Sequence, residues 1–308
     1  MAEITAALVK KLREKASAGI MDCKKALAAN DGDLEASVDW LRTKGLATAA
    51  NKAGRTAAEG LIGIAVRNNA GAVVEVNAET DFVARNETFQ EFVKSVAEIA
   101  LDTGDDIDAV NASAYPGTER DVKEQLTHLI ATIGENMVLR RVSVLKAEKG
   151  TLASYIHNAL APGLGKIGSL VSLESESAGD ALYLLGKQLA MHVAAAKPQA
   201  ISGDDLDPDV VTREKVILVE QARDSGRPDD IIKKMVEGRL RKFYEEVCLL
   251  DQTFVIDGET KVSQVIDVAA KEIGKPIVVN GFILFILGER IEKGGGNFAA
   301  EVSAAASV

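Results

Sequence analysis

The stretch AGAVVEVNAETDFVARNETFQEFVKSVA, residues 70–97, decides the fold. Its first part, AVVEV at 72–76, is a short apolar run of the kind that forms a buried strand. Its last part is helical. Phe89, Phe92, Val93, Val96 and Ala100 fall at i, i+3, i+4, i+7 and i+11, one apolar face, and Asn86 stands where an N-cap is wanted. Just upstream, LIGIAV at 61–66 reads as a second strand, joined to the first by the turn signal NNAG at 68–71. The unit is therefore strand, strand, helix. The connection at 78–89, AETDFVARNETF, carries an apolar pair, Phe82 and Val83, beside Asp81, in a chain with only 4% aromatic residues.

The same unit recurs further on. AGAVVEVN at 70–77 resembles IGSLVSLE at 167–174, and FVKSVA at 92–97 resembles LGKQLA at 185–190. Between the matched strand and helix the first copy holds four residues more than the second, and they fall in the segment with ETDFVARN. The second copy has ESESAGDA there, without a phenylalanine. From residue type alone, Phe82 would fold back onto the strand–helix core. The internal comparison argues the other way, because a second unit of the same kind is completed without it. An exposed apolar tip flanked by charge is the composition of an interface anchor. Both readings stand at this point.

Outward from this core, residues 4–45 read as three short helices, with Thr5 and Asp33 as caps, Leu8, Val9 and Leu12, then Met21, Ala26 and Leu27, then Leu34, Val38 and Leu41 facing inward, and Gly45 ending the third. Residues 46–60 read as a partly helical linker, 118–133 as a helix and 137–146 as a strand. Residues 208–241 read as two helices around DSGRPDD, with Gly226 ending the first. Their sparse apolar positions (Val211, Leu218, Ala222, then Ile231, Ile232, Met235, Leu240) suit an antiparallel hairpin with a narrow seam. Strands are expected at 253–256 and 277–287 with a helix at 261–272 between them, and KGGGN at 293–297 as a joint before a last helix at 298–305. The class is α+β.

Composition narrows the function. The 308 residues are 47% hydrophobic and 27% charged, as in an ordinary globular protein, and no apolar run approaches a membrane span. A net charge of −10 argues against a nucleic-acid-binding surface. The first 55 residues carry ten Lys/Arg and seven Asp/Glu, a mildly basic module on an acidic body. The N-terminus lacks an apolar signal region and two distant cysteines make no disulfide framework, so a reduced, cytoplasmic setting is expected.

Catalytic motifs fail on context. GLGKIG at 163–168 fits G-x-G-x-x-G, but the residues after it, SLVSLE, alternate like a strand where a dinucleotide site needs a helix. There is no P-loop and no G-x-S-x-G elbow. His128, His157 and His192 lack metal-ligand spacing. His192, in LAMHVAAA, reads as a core histidine, and His157, ending LASYIH, as either structural or partner-facing. Cys23 is the one candidate nucleophile, with Lys24 and Lys25 able to lower its pKa, but it sits in a module too small for a cleft and reads better as a small core residue. The classes left open are a factor acting by binding, a scaffold joining several partners through the helical module and the hairpin, and, last, an enzyme using Cys23.

SAGIMDCKKAL at 17–27 and ETDFVARN at 79–86 resemble the two signature motifs of the bacterial elongation factor Ts family. KPQAI, KMVEGRLRKF, IGENMVLRR at 133–141 and IEK…FAAEV are similar to that family too, in its order. ASAG stands where TGAG is usual, and GGG precedes the terminal helix. The resemblance spans essentially the whole chain. It implies a ubiquitin-associated-like (UBA-like) three-helix domain at 1–54, related α+β subdomains with antiparallel sheets at 55–146 and 147–290, a protruding coiled-coil hairpin at about 187–243 and a C-terminal module at 291–308. It also implies guanine-nucleotide exchange on elongation factor Tu without cofactor, metal, nucleic acid, membrane or small-molecule substrate of its own. Thr80, Asp81, Phe82 and Val83 would displace Mg²⁺ from Tu, with Phe82 as the wedge, and Lys24, Ile133, His157, Val255 and Ile256 fall on the family's contact positions.

Overall fold

The computed structural model describes residues 4–16, 18–177, 179–223 and 228–292. The chain is mixed α+β. It divides into two compact units, one within Met1–Gly63, Val74–Val142 and Ile286–Val308, the other within Ile64–Val73 and Ser143–Phe285. The expected turn around Gly226, the KGGGN joint and the last helix lie outside the described residues.

Three helices open the first unit: α1 (Ala6–Ala16), α2 (Ile20–Ala29) and α3 (Leu34–Lys52). Thr5 Oγ1 accepts from the Leu8 amide at 3.3 Å and Asp33 Oδ1 from the Ala36 amide at 2.9 Å, so both expected caps form. Leu12, Cys23, Ala26 and Leu27 make the buried centre, against Leu8, Val9, Val38 and Leu41. Met21 is exposed rather than buried. Cys23, Ala26 and Leu27 share the i, i+3, i+4 face, and a residue two positions before Cys23 points away from it. Gly45 does not end α3. The helix runs seven residues further, because it packs along α6 and that contact offsets the roughly 1 kcal/mol that glycine costs inside a helix.

After α3 come β1 (Glu59–Arg67), β2 (Ala70–Ala78), α4 (Glu87–Thr103), a short α5 (Ile107–Asn111), α6 (Val122–Ile133) and β3 (Met137–Lys146). The two-residue connection between β1 and β2 makes them an antiparallel hairpin, with Asn68 in the left-handed conformation such turns favour. All five residues of the expected helical face are buried in α4. The remaining elements are β4 (Gly150–His157), β5 (Leu164–Gly165), β6 (Ile167–Glu174), α7 (Asp180–Ala196), α8 (Pro208–Arg223), α9 (Asp229–Val247), α10 (Val262–Ile273) and β7 (Val278–Ile286). One sheet has the order β3-β2-β1-β5 and the other β4-β6-β7. β4 and β6 are antiparallel, from Gly150 opposite Glu174 to His157 opposite Ile167.

The two strand–strand–helix copies share their tightest contacts. Gly60 in β1 has φ +121°, and a Cβ there would strike the carbonyl of Val76. Gly150 in β4 has φ +112°, and its Cβ would strike the carbonyl of Leu173. Val76 and Leu173 are equivalent in the sequence comparison. Three residues on, the strand crosses its helix. A Cβ on Gly63 would come within 2.6 Å of Val93 Cγ1, and a Cβ on Gly186 within 2.9 Å of Ala153 Cβ. Val93 and Gly186 are equivalent as well, so each crossing keeps one glycine but on opposite partners. Close packing demands that the crossing stay narrow, not which side is small.

Several expectations are corrected. Residues 253–256 form a turn, not a strand: the Phe254 amide donates to the Thr260 carbonyl at 2.7 Å and the Gly258 amide to the Phe254 carbonyl at 2.8 Å, closing a loop before α10. Residues 187–196 belong to α7, with Leu189, Ala190 and Val193 buried in the second unit's core, so the helical pair proper is α8 and α9. Their seam is Leu218, Ala222, Ile232 and Val236. Ile231 faces out and Val236 takes the place expected for Met235, one step round the helix. Val211 packs at the base of the pair with Leu206 and Val247.

Candidate functional site

The connection between β2 and α4 divides the apolar pair. Val83 is 3% exposed and Phe82 is 76% exposed, while Asp81 is exposed and Thr80 half-buried. Local bonding explains the split. Val83–Arg85 form one turn of 3-10 helix, in which the Arg85 amide donates to the Phe82 carbonyl at 3.1 Å and the Asn86 amide to that of Val83 at 2.9 Å. Asn86 Oδ1 then caps α4 through the amides of Thr88 and Phe89, and Gln90 Nε2 ties back to the Ala84 carbonyl at 2.9 Å. That turn drives Val83 and Ala84 into the core and sends the Phe82 ring to the surface.

On the other side the connection is tied to the turn after α6. Thr80 donates its amide to Glu135 Oε2 at 2.9 Å and its hydroxyl to Glu135 Oε1 at 2.7 Å. The Asn136 amide donates to Glu79 Oε1 at 2.5 Å, and Arg55 reaches Glu79 Oε2 at 3.4 Å. Half-buried Ile133 closes α6, two residues before the Glu135 that holds Thr80. Lys24 is exposed on α2. His157, Val255 and Ile256 belong to the second unit, all three exposed. The turn bearing Val255 and Ile256 is held by His192, whose Nδ1 accepts from the Val255 amide at 3.2 Å while Nε2 pairs with Gln252 Oε1 at 2.9 Å. This pattern requires the neutral ring protonated on Nε2, and burial lowers the pKa to suit, with the Gln252 bond opposing it less strongly.

The chemistry of the remaining candidates is inert. Burial, with Asp22 adding to it, pushes the Cys23 thiol up, opposite to the activation that Lys24 and Lys25 would supply, and the Cys23 Sγ–H points at the Ala18 carbonyl at 3.7 Å. Burial likewise pushes Cys248 up to about 11. Within residues 163–168, Leu164–Gly165 form β5 and Ile167 opens β6, so a strand, not a helix, follows. Among the described residues no group of three or more His, Cys, Asp or Glu side chains is placed to hold a metal, and no helix is long and apolar enough to cross a membrane.

Sequence reasoning missed the charged residues that tie β2 to β3 and to residues 286–289. Glu75, in the middle of β2, is completely buried. It accepts from Arg140 at 3.1 and 3.2 Å, Arg141 at 2.5 Å, Asn77 at 3.1 Å and the Gly288 amide at 2.8 Å. The two arginines also bind the Glu289 and Ile286 carbonyls, at 2.6 and 2.9 Å. The available signal was a glutamate inside an apolar strand run, answered by the adjacent pair at the end of IGENMVLRR.

Residues 79–289 match the family model described as elongation factor TS. The chain is 58% identical to elongation factor Ts of Rhodospirillum centenum over 306 residues, covering 99% of this chain and 100% of that protein. It is 61% identical to the Rhodospirillum rubrum protein of that name over 305 residues, 99% of each. To the Sphingopyxis alaskensis one it is 60% identical over 309 residues, the whole of both. With a family model over more than half its length and full-length relatives at this identity, the chain belongs to the elongation factor Ts family of translation elongation factors.

Proposed function

We propose that the chain accelerates GDP release from elongation factor Tu by presenting Asp81 and Phe82 to the GTPase and displacing its Mg²⁺, so that GTP can bind. The observation that carries this reading is the exposure of Phe82 between the anchored residues Thr80 and Val83. A large apolar ring left in water is an unfavourable use of a scarce residue unless something covers it. Mg²⁺ bridges the phosphates of a bound nucleotide and neutralises their charge, so shifting its ligands weakens nucleotide binding without breaking a covalent bond. By linkage, a factor that binds nucleotide-free Tu more tightly lowers nucleotide affinity by the same ratio. No acid, base or nucleophile is required, and the chain acts as an exchange factor rather than an enzyme.

In this reading Thr80 and Val83 flank the wedge, and Lys24, Ile133, His157, Val255 and Ile256 make further contacts with Tu. Residues 1–54 serve as the UBA-like module, 55–146 and 147–290 as the related subdomains, the helical pair as a coiled-coil arm and 291–308 as a C-terminal module. The setting is the cytoplasm, where translation takes place.

The test is stopped-flow release of a fluorescent GDP analogue from Tu, with and without the chain, at fixed Mg²⁺. Micromolar or lower amounts of the chain should accelerate release. The factor of acceleration should shrink once Mg²⁺ has been chelated, since the displacement has then already happened. Release unaffected by the chain would overturn the function. Acceleration equally large without Mg²⁺ would overturn the mechanism.

A further inference from the structure

We propose that Glu135 is a positioning residue for nucleotide exchange: its carboxylate fixes the backbone at Thr80 so that Phe82 leaves the surface in one direction. The inference rests on the exchange reading above and deepens it.

Phe82, mostly in water, has little packing of its own, so the backbone that carries it must set its direction. Downstream, that backbone is fixed by buried Val83 and Ala84 and by the Gln90 tie. Upstream, the nearest anchor is Thr80, and Glu135 holds it with both oxygens, one on the amide and one on the hydroxyl. Only Asp81 and Phe82 lie between the two anchors. A second carboxylate runs in the opposite sense, from Glu79 to the Asn136 amide, so residues 79–80 and 135–136 are cross-tied. Asn136 Nδ2 extends the tie to the Arg55 carbonyl at 2.7 Å.

A carboxylate suits this role because two donors from one residue need two acceptors, and charge strengthens both bonds. Glutamine offers a single acceptor oxygen, so Glu135→Gln must give up one of the two bonds. Thr80→Val removes the hydroxyl donor and leaves the amide, approaching the same contact from the other side. A reacting group displaced by about 1 Å can lose on the order of a hundredfold in rate. A wedge that works by fit should be comparably sensitive.

The experiment measures GDP release from Tu stimulated by the full chain, comparing wild type, Glu135→Gln, Thr80→Val, Phe82→Ala and the double variant Glu135→Gln/Phe82→Ala, each with its thermal midpoint. Glu135→Gln and Thr80→Val should each slow exchange by about tenfold or more. In the Phe82→Ala background Glu135→Gln should slow exchange no further, because nothing remains to be aimed. A slow Phe82→Ala beside a full-speed Glu135→Gln would overturn the positioning role alone. An inert Phe82→Ala would overturn it together with the wedge. Additive losses in the double variant would also overturn it, since Glu135 would then act on Tu independently of Phe82.

Discussion

Replacing Phe82 by alanine separates function from folding. The ring contributes on the order of 200 Å² of surface, of which roughly 150 Å² is open to a partner at 76% exposure. At about 25 cal/mol per Å², covering it completely would stabilise a complex by up to ~4 kcal/mol. Ordering the ring against a partner takes back about 1 kcal/mol, leaving ~3 kcal/mol, on the order of a hundredfold in rate if the contact is realised in the step that releases nucleotide. The isolated chain loses almost nothing, since an exposed substitution away from caps and cores usually stays within about 0.5 kcal/mol. Stopped-flow release of a GDP analogue at limiting factor concentration reads the first quantity and a thermal melt the second. Neighbouring Val83→Ala should do the reverse for stability, costing about 2 kcal/mol because that side chain is buried. An exchange rate within about twofold of wild type for Phe82→Ala would refute the wedge. A fall of several degrees in its melting temperature would refute the claim that the ring is free of the core.

Three further outcomes follow from the packing. Glu75→Ala leaves two arginines without their buried counter-charge and should cost about 3–5 kcal/mol in a denaturant titration, and a loss below ~1 kcal/mol would contradict the burial argument. His192 must be neutral in the fold while its unfolded pKa lies near 6.5, so the unfolded chain binds the extra proton. Its contribution to stability is therefore complete above that pH and is lost as pH falls. Melting temperature should drop from about pH 7 to pH 5 in wild type, and His192→Asn should flatten that part of the profile. Gly63→Ala should overpack the crossing with Val93 at a cost of about 1–3 kcal/mol, and adding Val93→Ala should recover part of it, giving a favourable coupling of ~1 kcal/mol in a double-mutant cycle.

Local patterning made much of this protein legible. The apolar face of α4, the Asn86 and Asp33 caps, the β1–β2 hairpin and the recurrence of strand, strand and helix are written in neighbouring residues, and nothing distant had to override them. The misreadings came where distant contacts decided. Gly45 looked like a helix end until α6 packed against it, and TFVI at 253–256 looked like a strand until a turn closed over it. Met21 and Ile231 point outward because each stands beside a run of apolar residues that already fills the buried face, Cys23, Ala26 and Leu27 in α2 and Ile232 and Val236 in α9.

The sequence by itself determined the class, the internal repeat, the family and the segment on which function rests. These depend on composition, period and motif, which are properties of the chain order. Tertiary structure decided how that segment is built. It separated Phe82 from Val83, sending one into solvent and one into the core. It also brought Glu135, fifty-five positions away from Thr80, to hold the loop at its near end. A carboxylate pairs with whichever donors the fold delivers, and no local pattern specifies which those will be.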